Sequence, residues 1–279
     1  MSPTADYGAF FTSLADFAPM SLMSLFFLGI ARLVPVVIYA PFFGSKLPSG
    51  VKLGLIFSVT LIMLPHITMQ SKTVPGFDTL YIAYFIKELF IGFALAILVS
   101  VPFYIALAAG SLIDFLRGSS SLQVTDPSSQ EQTSPVGILY NYMLIAIFYS
   151  IDGPLMFFDG FMQTYDIIPA DAFISPIFFH MKQPLWELIF ATLAKVIALS
   201  IQLSAPCLLA ILMTEVFLGI ANRLAPQVQI VFLGMSLKSL IGLAILSAAW
   251  IFILKQLSQE TFLWMKEINR AFQSTITKV

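Results

Sequence analysis

The chain has 279 residues, of which 58% are hydrophobic and 10% charged, and a formal net charge of -1. Soluble domains run at roughly 45 to 50% apolar and about 25% charged, so this much apolar surface fits a bilayer or a large apolar assembly and not one soluble core. The charge balance excludes a nucleic-acid role, which needs a basic face to displace counterions, and the single cysteine, Cys207, excludes an internal disulfide. Cys207 lies in the apolar run SAPCLLAILM and reads as a small buried hydrophobe.

The N-terminus lacks the basic region of a cleavable signal, the first positive charge being Arg32, so internal apolar segments are expected to direct insertion. In chain order six such stretches are predicted: 20–43, 51–68, 80–113, 136–158, 185–213 and 228–254. Each approaches or exceeds the roughly 20 residues that cross about 30 Å of hydrocarbon as a helix. Pro102 in the third and Pro206 in the fifth predict kinks or breaks, and Pro35 with Pro41 argues against a straight helix through the end of the first. Gly92 with Ala96, and Ala106 with Gly110, are spaced for close helix packing within the chain.

The charges do not fit six simple spans. Lys46 and Lys52 point to a cytoplasmic first connection, and Asp152, Asp159, Asp166 and Asp171 to an outer fourth one. The same count then places Lys255, Lys266, Arg270 and Lys278 outside. One stretch is re-entrant, or not every helix is an ordinary span.

Between the third and fourth stretches, Arg117 to Pro135 (RGSSSLQVTDPSSQEQTSP) forms a hydrophilic island. Its serines, the turn-former Asp126-Pro127 and the closing Ser134-Pro135 allow neither helical nor strand periodicity. Within or beside the apolar runs stand Arg32, Lys87, Glu88, Lys195, Glu215 and Lys238, each costly in lipid unless paired or hydrated. They read either as a translocation or proton path or as ion pairs between packed helices and subunits. Adjacent Lys87 and Glu88 point about 100° apart on a helix and are expected to seek different neighbours.

The tail, 255–279, sets Phe262, Met265, Ile268, Phe272 and Ile276 at helical steps opposite charged residues. This amphipathic helix is expected to lie on a membrane, dock in a partner or fold onto its own bundle. His66 and His180 have no metal-ligand spacing around them, and no HExxH, GxSxG or P-loop occurs, so no enzyme, metal or cofactor is expected.

In order along the chain stand Arg32, Pro35, Pro41-Phe42-Phe43-Gly44 and Pro48; Lys87-Glu88 and Gly92; and Ala109-Gly110, Ile113-Asp114, Arg117-Gly118, Ser120, Asp126-Pro127 and Ser134-Pro135. They are followed by Ala205-Pro206, Glu215, Leu218-Gly219, Arg223, Pro226-Gln227, Phe232, Gly234 and Leu237-Lys238. In this order and spacing the chain resembles the SctT/FliR family of type III secretion export-gate proteins (SpaR, YscT, HrcT). The Ile-Asp-x-x-Arg-Gly-x-Ser segment looks like the injectisome members, the SctT branch, and Gln229 departs from the asparagine usual in the family.

The resemblance implies an all-α polytopic membrane protein of bent helical hairpins, one export-gate domain over 1–279, assembling with SctR-like and SctS-like subunits into a staggered helical cone in the bacterial inner membrane. It implies a non-enzymatic role in passing unfolded protein substrates. In that reading 117–135 is a plug loop at the pore, with Arg117, Gly118, Ser119, Ser120, Ser121, Asp126, Pro127 and Ser134 its main residues. The embedded charges serve helix or subunit packing. The tail residues Phe262, Met265, Ile268 and Phe272 would meet a SctU-like switch protein. The alternative is a secondary permease for a small molecule, with the embedded charges as its coupling site.

Overall fold

A computed structural model describes residues 19–44, 47–71, 75–118, 134–173, 184–224 and 230–276. Among these residues there are eight α-helices and no strand. They are α1 Pro19–Tyr39, α2 Ser49–Gln70, α3 Thr79–Leu116, α4 Pro135–Ser150, α5 Gly153–Ile167, α6 Pro184–Leu224, α7 Ile230–Ala248 and α8 Trp250–Ile276, with a 3-10 turn at Pro41–Phe43. Four helices are long and apolar enough to cross a membrane, or six if the bent pairs α4 with α5 and α7 with α8 each count as one span. The protein is an all-α, multi-pass membrane protein.

The six predicted stretches are present, with two corrections. Pro102 and Pro206 lie inside continuous helices and break neither, as do Pro35 and Pro65, whereas the first helix stops at Tyr39 ahead of Pro41, as expected. A proline removes one hydrogen bond, and in apolar surroundings the cost of freeing further backbone groups keeps the adjoining turns helical. Conversely, the fourth and sixth stretches are interrupted, at Ile151–Asp152 and at Ala249. At the first break Asp152 adopts φ 57°, a left-handed conformation that aspartate tolerates better than most residues. Gly153 follows because a Cβ there would stand 2.4 Å from the Phe148 ring.

The chain divides into two compact units. The first comprises residues 1–100, 154–189 and 265–279, and holds α1, α2, the first part of α3, α5 and the last turns of α8. Its core joins Leu25, Leu28 and Val36 of α1, Ile56, Met63 and Ile67 of α2, and Leu95 and Ala96 of α3 to Phe157, Phe161 and Tyr165 of α5. These three α5 aromatics recur every fourth residue, so they share one helix face, with ring centroids 5.8 and 5.9 Å apart in sequence order. The second unit comprises 101–153 and 190–264. Its core contains Phe103 and Ile113 of α3, Tyr140, Leu144 and Phe148 of α4, Leu203, Cys207 and Ile211 of α6, and Ile253 and Leu257 of α8.

Candidate functional site

The polar segment is framed by the second unit. Helix α3 ends at Leu116, and two residues on Gly118 has a φ of 85°, the left-handed conformation in which glycine closes a helix without steric cost. Helix α4 opens with Ser134 as N-cap, its hydroxyl accepting from the Gly137 amide at 3.0 Å, and with Pro135 in the first turn, where no amide partner is lost. The backbones of the two helices meet just inside these ends. A Cβ on Gly110 would lie 2.4 Å from the Gly137 Cα, and one on Gly137 would lie 2.9 Å from the Leu107 carbonyl. Gly110, picked out from its spacing, is therefore a packing glycine.

Asp114, 4% exposed, ties the two ends together. Its Oδ2 accepts from the Ser134 hydroxyl and, at 2.9 Å, from the Val136 amide, while its Oδ1 pairs with Arg117 Nη2 at 2.6 Å. The Arg117 side chain, 10% exposed, has its Cβ 3.8 Å from the Cβ position of Gly242 on α7. Of the predicted segment residues, Arg117, Gly118 and Ser134 are thus placed at its base, whereas Ser119, Ser120, Ser121, Asp126 and Pro127 lie outside the described residues. Sequence reasoning did not assign Asp114 this role. The available signal was an acid ending an apolar run just before Arg-Gly.

The first unit collects a buried charge cluster. Arg32 and Glu88, both 0% exposed, form a two-pronged ion pair in which Nη2 meets Oε1 at 2.8 Å and Nε meets Oε2. The guanidinium also donates to Thr164 Oγ1 at 2.9 Å and the Ile168 carbonyl at 2.8 Å, and it sits 3.8 Å from the centre of the Tyr165 ring. Its nearly complete set of partners is what a charge away from water requires. Gly92 makes room for this arrangement, since a Cβ there would lie 2.1 Å from the Arg32 carbonyl oxygen.

Lys87 donates to the carbonyls of Pro169 at 2.8 Å, Ala170 at 3.0 Å and Ala172 at 2.8 Å, and its Nζ also lies 2.8 Å from Glu88 Oε1. As expected, Lys87 and Glu88 have different main neighbours, the loop carbonyls and Arg32, but they also contact each other. The divergence of their Cβ atoms is real, but the four-carbon lysine stem reaches back across it while also capping the chain that follows α5.

The remaining embedded charges lie in the second unit. Lys195 stands 5.4 Å from the Trp264 ring centre, beside an apolar hollow that Leu199, Leu257 and Glu260 help to line. Lys238 of α7 pairs with Glu215 of α6 in an open groove with Leu218, Gly219, Asn222 and Gly234, and the side chains remain 20% and 51% exposed. Among the described residues no group of three or more His, Cys, Asp or Glu is arranged to hold a metal ion.

The tail stripe is taken up within the chain. Met265, Ile268 and Phe272 are at most 5% exposed and line a hollow with Leu95, Leu98, Phe157 and Phe161. Asn269 Nδ2 donates to the Met156 carbonyl at 3.2 Å, and Gly160 of α5 lets Asn269 approach. Docking of these three side chains in a partner's groove is therefore replaced by packing onto the chain's own bundle. Phe262, at 36%, is the exposed member of the four predicted partner contacts.

The model of the family described as "Bacterial export proteins, family 1" matches residues 23–263, a range that includes the charge cluster, both ends of the polar segment and most of α8. The chain belongs to this family, the SctT/FliR export proteins. It is 27% identical over 218 residues to the surface presentation of antigens protein SpaR of Shigella flexneri, covering 77% of this chain and 80% of that one. It is 24% identical over 242 residues to the Yop proteins translocation protein T of Yersinia pestis, covering 86% and 91%. Over 234 residues it is 24% identical to the flagellar biosynthetic protein FliR of Escherichia coli (strain K12), covering 82% and 85%. These family members are components of type III secretion or flagellar export apparatus.

Proposed function

We propose that this family member is a non-enzymatic subunit of a type III secretion export gate in the bacterial inner membrane, passing unfolded protein substrates and closing the pore at rest with the segment 117–135. The observation that carries the closure is the tie at Asp114, which joins the residues where the segment leaves α3 and enters α4. A polar segment fits the task because little apolar surface is re-exposed when it moves aside. The partners are SctR-like and SctS-like subunits, with a SctU-like protein and membrane lipid around them. Membership of the injectisome branch, SctT, accords with the Ile-Asp-x-x-Arg-Gly-x-Ser segment. The closed partner sets of Arg32, Lys87 and Glu88 favour a packing role for these charges over the coupling site of a permease.

The test is a variant lacking Ser119 to Thr125, retaining Asp126-Pro127 and assembled with its partners as judged by co-purification. Entry of small solutes through the membrane is expected to rise before any substrate is engaged. An assembled variant with wild-type tightness and wild-type secretion would refute the closure. Purification from native membrane as a stable homo-oligomer without unlike subunits would refute the gate.

A further inference from the structure

The turn that follows α5 gathers its carbonyl oxygens around one point. The Ala172 amide donates to the Pro169 carbonyl at 3.3 Å, and the carbonyls of Pro169, Ala170 and Ala172 lie 2.8, 3.0 and 2.8 Å from Lys87 Nζ. Glu88 Oε1 adds a fourth oxygen at 2.8 Å. An ammonium has three N–H donors, so four oxygens exceed what a lysine can use by hydrogen bonding, whereas a spherical cation has no such limit. The lengths select among cations, since magnesium takes oxygens at roughly 2.0 to 2.1 Å and calcium at roughly 2.3 to 2.6 Å, both shorter than those here. Rings of backbone carbonyls are what replaces the hydration shell of potassium in a channel filter. Charge points the same way. Arg32 and Lys87 stand against Glu88 and Asp171, all at most 7% exposed, so without the lysine the cluster is short of one positive charge, the deficit that a monovalent cation fills.

We propose that the 169–172 turn and Glu88 form a binding site for a monovalent cation of the size of potassium or ammonium, and that the chain keeps this site filled with the Lys87 ammonium. Lys87 is then a tethered cation that holds the turn on α3. Its Nζ lies 5.7 Å from the Tyr84 ring centre, and that ring stacks on Phe173, just past the turn, at 4.6 Å. Removing the lysine stem vacates a route by which a free cation can enter. An uncharged stem of similar length blocks that route.

Hydrogen exchange at the Ala172 amide, followed in the assembled complex, reads the turn directly. Wild type, K87A and K87M are compared in potassium, ammonium and choline chloride at one ionic strength, so that screening is constant. In choline, which is too large for the site, both variants are expected to exchange about tenfold or more faster than wild type, as follows from losing hydrogen bonds to a charged group. Potassium or ammonium is expected to return K87A toward the wild-type rate and to leave K87M fast, because the methionine stem occupies the route. Wild-type exchange of either variant in choline overturns the proposal, since the turn would then need no cation. So does a K87A that choline protects as well as potassium, or that none of the three salts protects. A K87M that recovers alongside K87A places the cation elsewhere and overturns it too. Where K87A fails to assemble in choline, the yield of complex becomes the readout: recovery in potassium or ammonium alone supports the site, and failure in all three salts overturns it.

Discussion

The ion pairs Arg32–Glu88 and Glu215–Lys238, each joining separate helices, contrast in how far they are finished inside the chain. Arg32 and Glu88 are fully buried, doubly bonded to each other and supported by Thr164, the Ile168 carbonyl and the Tyr165 ring. Glu215 and Lys238 lie in an open groove, half of the glutamate exposed, on helices whose apolar faces are largely uncovered. The first unit spends its charges on its own packing, and the second presents a pair where lipid or another subunit would meet it.

The largest expected effect tests the closed pair. Truncating Arg32 to Ala leaves Glu88 buried without its main partner, a defect of about 3 to 5 kcal/mol, a large share of the roughly 5 to 15 kcal/mol by which a folded protein is stable. Abundance and protease resistance in the membrane report it. A paired replacement by Met and Leu should recover much of the loss, because an apolar pair of suitable volume removes the stranded charge. If R32A accumulates to wild-type levels, the cluster is not what holds these helices.

Next in size is the tail. Ile268→Ala in the buried stripe is expected to cost about 2 to 5 kcal/mol, read as a lower melting temperature in detergent. A variant that melts like wild type while losing a partner would return the stripe to an intermolecular role. The smallest effect is expected at the open pair, where Glu215→Gln should change the stability of the isolated subunit by no more than about 1 kcal/mol. Its consequence should show instead in the yield of complex with unlike subunits. A loss of subunit stability as great as that of R32A would erase the distinction between the two pairs.

Most helices were legible because apolar runs of membrane length have few competing meanings. The Asp152-Gly153-Pro154 break was written in turn residues, yet hydropathy alone carried the predicted stretch past it, to 158. The break at Ala249 has no turn residue to announce it. Pro102 and Pro206 leave their helices unbroken, because adjoining backbone in apolar surroundings has no water to turn to. Gly92 and Gly110 were readable from spacing, and the close backbone contacts at both explain why. The partners of Arg32 and Lys87 were hidden. Glu88 is 56 positions from Arg32, and carbonyls such as those of Pro169 and Ala172 belong to every residue, so they leave no mark on composition.

The discontinuous make-up of the first unit sets an order of events during synthesis. Arg32, Lys87 and Glu88 emerge early, but Thr164 and the carbonyls of 168 to 172 that complete their bonds come much later. Met265, Ile268 and Phe272, which fill the hollow against α3 and α5, come almost last. A ribosome still translating the middle of the message therefore holds a nascent chain in which Arg32, Lys87 and Glu88 have one another but not their later partners, and whatever escorts that chain into the membrane must shelter these charges until the residues that follow α5 arrive.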